Sequence, residues 1–476
     1  MNQEKTPLLE LLKKHTSHHP LSFHVPGHKY GKLLNGRDHS FKDILKLDAT
    51  ELSGLDDLHA PEGAIMEAQK LLAALYKASN SYLLINGSTV GNLAMIMAAV
   101  GENDIVLVQR NCHKSILNGI LLAKARPVFL APDYNLEWGV AGGVAVETAR
   151  EAIRQYPNAK ALIITHPNYY GMVSDLEGII KYAHQQGIPV LVDEAHGAHL
   201  IKSDYFPPSA VQLQADIVVQ SAHKTLPAMT MGAYLHFNSK LINEEKVKSY
   251  LGILQSSSPS YPIMVSLDVA RAYLASFSKE DASLLSQKIE CFRNALSMVK
   301  GIKVLPYENN IGDPLKITIQ STTFLSGFEL MQILEKHHIY AEMADPYNVL
   351  LVFPLLKADM DYSVERVVKS LKEGLRPYIH KEDPKKMIIF SKKPVAELTL
   401  NQKEQEGLAI KTVFLQDSAG KICAQQVIPY PPGIPLLFPG ERIQSEDIYN
   451  IRALIEAGAR FQNGEHLKNG TIKIYE

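Results

Sequence analysis

Three cysteines in 476 residues, at positions 112, 291 and 423 with no CxxC spacing, are too few and too scattered for a disulfide framework. Excess charge is equally scarce: 49 Lys+Arg against 50 Asp+Glu leave a formal net charge of -1. Without a basic surplus there is no bulk electrostatic case for nucleic acid. The short pairs Lys385-Lys386 and Lys392-Lys393 read as solvated faces. No run approaches the ~18 uninterrupted apolar residues that cross a bilayer, and the most apolar stretch, 93–100, is about half that. The opening residues Met1-Asn2-Gln3-Glu4-Lys5 lack the apolar core of a secretory signal. These absences point to a cytoplasmic protein in a reducing compartment, with no membrane or nucleic-acid partner.

What is present is an ordinary globular composition, 46% hydrophobic and 21% charged, at a length that suggests two to three domains. Residues 1–30 read as an arm: a short helical pattern at Leu8, Leu9, Leu11 and Leu12, then the broken loop His24-Val25-Pro26-Gly27-His28-Lys29. From about 65 to 235, β-branched runs (82–85, 105–108, 161–165, 189–192, 216–219, 232–237) alternate with helical stretches such as 146–155 and 176–186. Such alternation implies a mainly parallel sheet covered on both faces, with ligands beyond the carboxyl ends of its strands. Helical stretches at 263–275 and 282–299 precede a smaller α/β pattern. The charged stretch 380–386 reads as a linker to a C-terminal module carrying Tyr430-Pro431-Pro432-Gly433-Ile434-Pro435. The expected division is an arm 1–30, a large domain 31–280, a small α/β domain 281–380 and a C-terminal α+β domain 381–476.

Two of the β-type runs end in residues with chemistry. Val190-Leu191-Val192 leads into Asp193-Glu194-Ala195-His196, and Ile217-Val218-Val219 leads into Ser221-Ala222-His223-Lys224-Thr225. An acid on one strand end and a lysine on the next suit pyridoxal 5'-phosphate. The lysine forms a Schiff base with the aldehyde, and the aspartate keeps the pyridine nitrogen protonated so that the ring acts as an electron sink.

Further motifs fit that chemistry. Asn86-Gly87-Ser88-Thr89-Val90-Gly91-Asn92 follows a strand and opens a helix, where small residues, hydroxyls and free N–H groups can hold a phosphate; alone it reads as a capped βα turn. His113 follows the run 105–108 and could lie flat on a pyridine ring, or be a loop histidine. Cys112 beside it reads as packing. His196 and His199 have i, i+3 spacing beside Asp193 and Glu194, but with no HExxH and a glycine at 197 no metal site is expected. His223 could shuttle a proton or orient the cofactor. The cluster Ser256-Ser257-Ser258 reads as a turn or as further phosphate donors. Glu51, Asp56, Asp57 and Glu441 sit in Gly/Pro-marked loops, and a carboxylate among them could face the cationic end of a basic substrate.

These motifs together resemble the bacterial ornithine/lysine/arginine decarboxylases, fold-type I (aspartate-aminotransferase-like) pyridoxal-phosphate enzymes. The resemblance rests on Pro26-Gly27-His28-Lys29, Leu55-Asp56-Asp57-Leu58-His59, the 86–92 loop, Arg110-Asn111-Cys112-His113-Lys114-Ser115, Asp193-Glu194-Ala195-His196, the 221–224 segment, and Pro431-Pro432-Gly433-Ile434-Pro435 with Pro439-Gly440-Glu441. It is to the compact branch without an N-terminal wing domain. It implies a mainly parallel, seven-stranded-type large-domain sheet flanked by helices. It also implies Lys224 as Schiff-base lysine, Asp193 as pyridinium partner, His113 stacked on the ring and Ala195 on its other face. Ser88, Thr89 and Ser221 would bind the phosphate, with Ser257 or Ser258 contributing across a homodimer interface. His223 would adjoin the imine, and Glu441 and His196 would lie toward the substrate. Val90, where many relatives have a hydroxyl residue, and His166-Pro167-Asn168-Tyr169-Tyr170-Gly171 depart from the commoner pattern.

The implied reaction is decarboxylation of lysine, ornithine or arginine to the amine and carbon dioxide. Another reaction of the same cofactor (aminotransferase, aldolase or lyase) and a non-catalytic cofactor-binding regulator are the alternatives.

Overall fold

The computed structural model describes residues 1–34, 39–307, 311–379, 393–430, 434–462 and 464–476. The expected linker 380–386 and Pro431-Pro432-Gly433 lie outside the described residues.

β-branched and aliphatic runs build the principal sheet from strands β1 (Asn80–Leu84), β2 (Ile105–Gln109), β3 (Arg126–Leu130), β4 (Ala161–Thr165), β5 (Val190–Asp193), β6 (Ile217–Gln220) and β7 (Ala233–Phe237). Strands β4 to β7 are buried almost throughout, as both-faced coverage requires. Four antiparallel strands form a second, smaller sheet: β8 (Ile302–Val304), β9 (Lys316–Ser321), β10 (Met343–Ala344) and β11 (Asn348–Val352), in the order β8-β9-β11-β10. An eighth strand, β12 (Val395–Glu397), returns from the C-terminal part of the chain and pairs antiparallel with β3. The principal sheet therefore reads β1-β7-β6-β5-β4-β2-β3-β12. Strands β13 (Ile410–Phe414), β14 (Ile422–Cys423) and β15 (Thr471–Tyr475) make a third sheet over the helix Ser445–Glu456 and their own apolar cluster.

Two strands of the principal sheet were not expected from the sequence. β3 contains Pro127, which cannot donate a ladder hydrogen bond and therefore reads against a strand; it sits at the second position, before the residues that pair with β12. β12 is three residues long and has no periodicity of its own. The N-terminal arm is fastened by its helix Pro7–Ser17, whose Leu8 and Leu12 are fully buried. Buried Arg271 donates to the backbone carbonyls of Gln3 and Lys5. Among the described residues no helix is long and apolar enough to cross a membrane.

The helix Gly87–Ala99 lies against the principal sheet at Gly91, where an added Cβ would stand 2.7 Å from Leu84 Cδ1 and 2.8 Å from Val219 Cγ1. Gly91→Ala gains about 1 kcal/mol of helix propensity but overpacks a closed contact at about 1–3 kcal/mol. We expect a net loss of up to about 2 kcal/mol in denaturant unfolding; a more stable variant would refute the close approach.

Candidate active site

β1 runs antiparallel to β7 and β7 antiparallel to β6, while β6, β5, β4, β2 and β3 are mutually parallel. Six strands thus end on the same edge of the sheet. The segments leaving that edge carry Ser88 and Thr89, Arg110 to His113, His166 to Tyr169, Asp193 to His199, and Ser221 to Lys224. The topology gathers the residues that the sequence scattered.

Asp193 is the last residue of β5 and is buried. Its Oδ2 accepts from Asn92 Nδ2 at 3.1 Å and its Oδ1 from the Ala195 N–H at 3.2 Å. The same Asn92 amide donates to Ser115 Oγ at 2.9 Å, which meets His113 Nδ1 at 2.8 Å. His113 caps the helix Lys114–Leu122 by accepting from the Ser115 N–H. Burial lowers its basicity, opposed by Asp193 and reinforced by Lys224 and Lys114. Behind Asp193, Glu194 is wholly buried and accepts from Ser209 Oγ, the Ala210 N–H and Gln220 Nε2. Burial pushes its carboxyl up to about 7 against those hydrogen bonds. It braces the turn from within.

At the other end of the edge, Ser88 and Thr89 occupy the first turn of Gly87–Ala99, where backbone N–H groups have no intrahelical partner. Gly87 has φ +76°, a conformation that favours glycine, and open space where a Cβ would stand. Ser221 Oγ donates to Ser88 Oγ at 2.8 Å, joining this turn to the end of β6. Hydroxyls, free N–H groups and a positive helix end make an anion seat.

Ala222–Thr225 is a single helical turn rather than a strand end, and it carries both His223 and Lys224. His223 Nδ1 is held by the Gly232 carbonyl at 2.9 Å. Lys224 Nζ meets His196 Nε2 at 3.0 Å and lies over the Tyr169 ring, 5.8 Å from its centroid. Burial lowers the basicity of Lys224, opposed by Asp193 and Glu342. The other ring nitrogen of His196, Nδ1, meets Lys316 Nζ at 3.0 Å, and His199 Nε2 meets Asp313 Oδ1 at 3.1 Å. The i, i+3 histidines therefore face an i, i+3 Asp/Lys pair at the start of β9.

A family model described as Orn/Lys/Arg decarboxylase, major domain, matches residues 6–310, and that of the C-terminal domain matches residues 385–464. The chain belongs to the Orn/Lys/Arg decarboxylase family. It is a pyridoxal-phosphate-dependent amino-acid decarboxylase of fold-type I. It is 44% identical to the Bacillus subtilis protein YaaO over 99% of this chain and 98% of that one. A Bacillus subtilis arginine decarboxylase is 33% identical over 100% of this chain and 98% of its own. The Francisella novicida lysine decarboxylase superposes with a TM-score of 0.80 at 22% identity, covering 99% of this chain and 81% of that structure. That likeness speaks to the fold.

In this family member Glu441 does not present a free carboxylate. Arg110 clamps it bidentately at 2.6 and 2.8 Å, and the Phe438 N–H donates to it at 2.9 Å. The expectation that Glu441 lies toward the substrate's cation thus meets an acid already neutralised, by a partner 331 residues away. His196, also expected toward the substrate, is occupied by two lysines. Ser257 and Ser258 are exposed on their turn, and His59 Nε2 meets the Ser256 carbonyl. The sequence reading gave no role to Asn92, Ser115, Tyr169, Lys316 or Glu342. Asn92 and Ser115 stood inside quoted motifs and could have been noticed there, whereas nothing around Lys316 marked it.

Breaking the Arg110–Glu441 pair should be costly because both side chains are largely buried, at 9% and 13% exposure. Arg110→Met is expected to lose about 3–5 kcal/mol by chemical denaturation, and adding Glu441→Leu to recover much of it. A loss below about 1 kcal/mol in the single variant would mean an exposed, weak pair.

Proposed function

We propose that this decarboxylase releases carbon dioxide from a basic L-amino acid (lysine, ornithine or arginine) at the sheet edge between Lys224 and Asp193. The supporting observation is that Lys224 meets His196 at 3.0 Å while Asp193 is joined through Asn92 and Ser115 to His113, with Asp193 and Lys224 at the ends of neighbouring parallel strands on one edge of the sheet. The same edge carries the anion seat formed by Ser88, Thr89 and Ser221.

The donor set fits pyridoxal phosphate: an amine for its aldehyde, a carboxylate for its ring nitrogen, and a glycine-opened helix end for its phosphate. When bound, the cofactor supplies a conjugated sink for the electron pair left by the departing carboxylate. Asn92 and the Ala195 N–H fix the orientation of the Asp193 carboxylate. His113, tied to Ser115, offers a ring face whose plane is set by its cap, and Ala195, on the turn after Asp193, is the proposed contact for the other face. Ser221 and Ser88, joined to each other, would hold the phosphate end. Lys224 would be the residue that holds the aldehyde, and its Nζ, once freed, could carry a proton. His223, anchored to Gly232, stands beside it as a second proton-bearing group. Specificity for decarboxylation over its rivals requires the Cα–carboxylate bond to stand perpendicular to the ring. A two-fold dimer is the proposed working unit, supported by the exposed hydroxyls of Ser257 and Ser258.

Carbon dioxide release from lysine, ornithine and arginine, assayed in parallel, tests this reading. Amine and carbon dioxide in equal amounts from at least one substrate are expected. Keto-acid formation instead would give the site to an aminotransferase, and cofactor binding without turnover on all three would favour a regulatory binder. Lys224→Ala should lose the near-visible absorbance of the covalently held cofactor together with turnover. Asp193→Ala should lower kcat by about 100-fold or more, the scale on which removal of one electrostatic stabiliser falls; retained absorbance or retained rate would refute the respective assignment.

A further inference from the structure

The row Lys224–His196–Lys316 has a proton problem. His196 is buried, and its two ring nitrogens each meet a lysine Nζ at 3.0 Å. Burial, then Lys224 and Lys316, hold its basicity well below the usual range, so the ring is neutral. A neutral imidazole carries one N–H and one lone pair. It can accept from one ammonium, and it must donate to the nitrogen on its other side. Both lysines therefore cannot be ammonium ions while these contacts last. At most one of them is a cation, and at least one is a neutral amine.

The carboxylates around the row decide which. Lys316 opens β9 and is 1% exposed. Asp313, three residues earlier, is wholly buried. Its Oδ1 is engaged by His199 and by the Leu315 N–H at 3.0 Å, whereas its Oδ2 is buried without a hydrogen-bond partner among the described residues. Burial lowers the basicity of Lys316 too, opposed first by Asp313. Burial works against the ionised Asp313 carboxylate, yet His199 and then Lys316 hold it low, so a cation at Lys316 compensates a buried carboxylate that His199 meets through one oxygen only. On the other side, both oxygens of Asp193 are already satisfied, by Asn92 and by the Ala195 N–H. Glu342 acts on both lysines and on His223, so it does not separate them. His113, His223 and the Tyr169 ring, edge-on at 5.1 Å, also face His196.

We propose that Lys316 is a positioning residue: as the ammonium member of the row it fixes the proton of His196 on Nε2 and thereby keeps Lys224 Nζ a neutral amine. The inference rests on Lys224 being the cofactor lysine. Its chemical use is direct, because a neutral amine attacks an aldehyde and an ammonium ion does not. The smaller sheet, which supplies Lys316, thus sets the readiness of a lysine on the principal sheet.

The test uses the full-length protein stripped of cofactor and mixed with pyridoxal phosphate. The rate of near-visible absorbance gain is followed between about pH 7 and pH 10.5, bracketing the ordinary lysine range. Borohydride reduction and peptide mapping identify the lysine captured. Wild type should capture at Lys224 with a midpoint at least about one unit below that of an ordinary lysine. Lys316→Met removes the cation and frees His196 to accept from Lys224, so its midpoint should rise by about one unit or more. Capture near pH 7 should then slow about tenfold. Lys316→Arg restores the cation and should stay with wild type. Should the methionine variant not fold, Lys316→Gln is read instead and is expected to move the midpoint the same way. An unmoved midpoint in the folded, uncharged variant, or an arginine variant that behaves like methionine, overturns the inference. A merely structural Lys316 would lower the unfolding temperature without moving the midpoint. Failure of wild type to capture at Lys224 would instead sink the functional reading on which the inference stands.

Discussion

An amine partly withdrawn from water is the constraint on which the site depends. Lys224 is placed by one helical turn after β6, and every group around it answers the question of where its proton goes. Desolvation pushes it toward the neutral form, Asp193 and Glu342 push back, and the His196 imidazole lies in hydrogen-bond contact. The sheet beneath contributes direction. Because six strands end on one edge, Asp193, Lys224, His113 and the linked Ser88 and Ser221 meet without long loops to carry them.

The polar shell behind the acid shows how a buried carboxylate is made tolerable. Asp193 takes its hydrogen bonds from an amide and a backbone N–H, and Asn92 in turn reaches Ser115 and, through it, His113. Glu194, pointing the other way, is satisfied by three donors. Adjacent acids on one strand end therefore have separate work. Asp193 is tied toward Asn92 and His113, and Glu194 holds the turn that follows it. The tight Gly197 that follows, where a Cβ would stand 2.5 Å from Glu194 Cγ, keeps that turn closed.

The edge of the sheet was legible in the sequence because each strand leading to it is a dense apolar run and each run ends in polar residues. Asp193, His113, Ser88, Thr89 and the 221–224 segment could be singled out on that pattern alone. Lys316 could not, because a lysine opening a strand ordinarily faces water, and its partner His196 comes from 120 residues away. The Arg110–Glu441 clamp was hidden for the same reason: each residue alone looks like a loop charge, and only the fold joins them. β3 escaped because proline at its second position argues locally against a strand. In each case a contact distant in sequence outweighed a local preference.

The clip of β12 onto β3 carries a consequence for biosynthesis. About 265 residues separate Leu130 from Val395, so a growing chain presents the open flank of β3 for the whole of that interval. At roughly 5–20 residues per second this lasts about 10–50 s, a long exposure for unpaired backbone N–H and C=O groups. Closure of the flank awaits the synthesis of Val395–Glu397. The C-terminal part of the molecule thus serves as an intramolecular cap for a seam that the ribosome opens early and seals late.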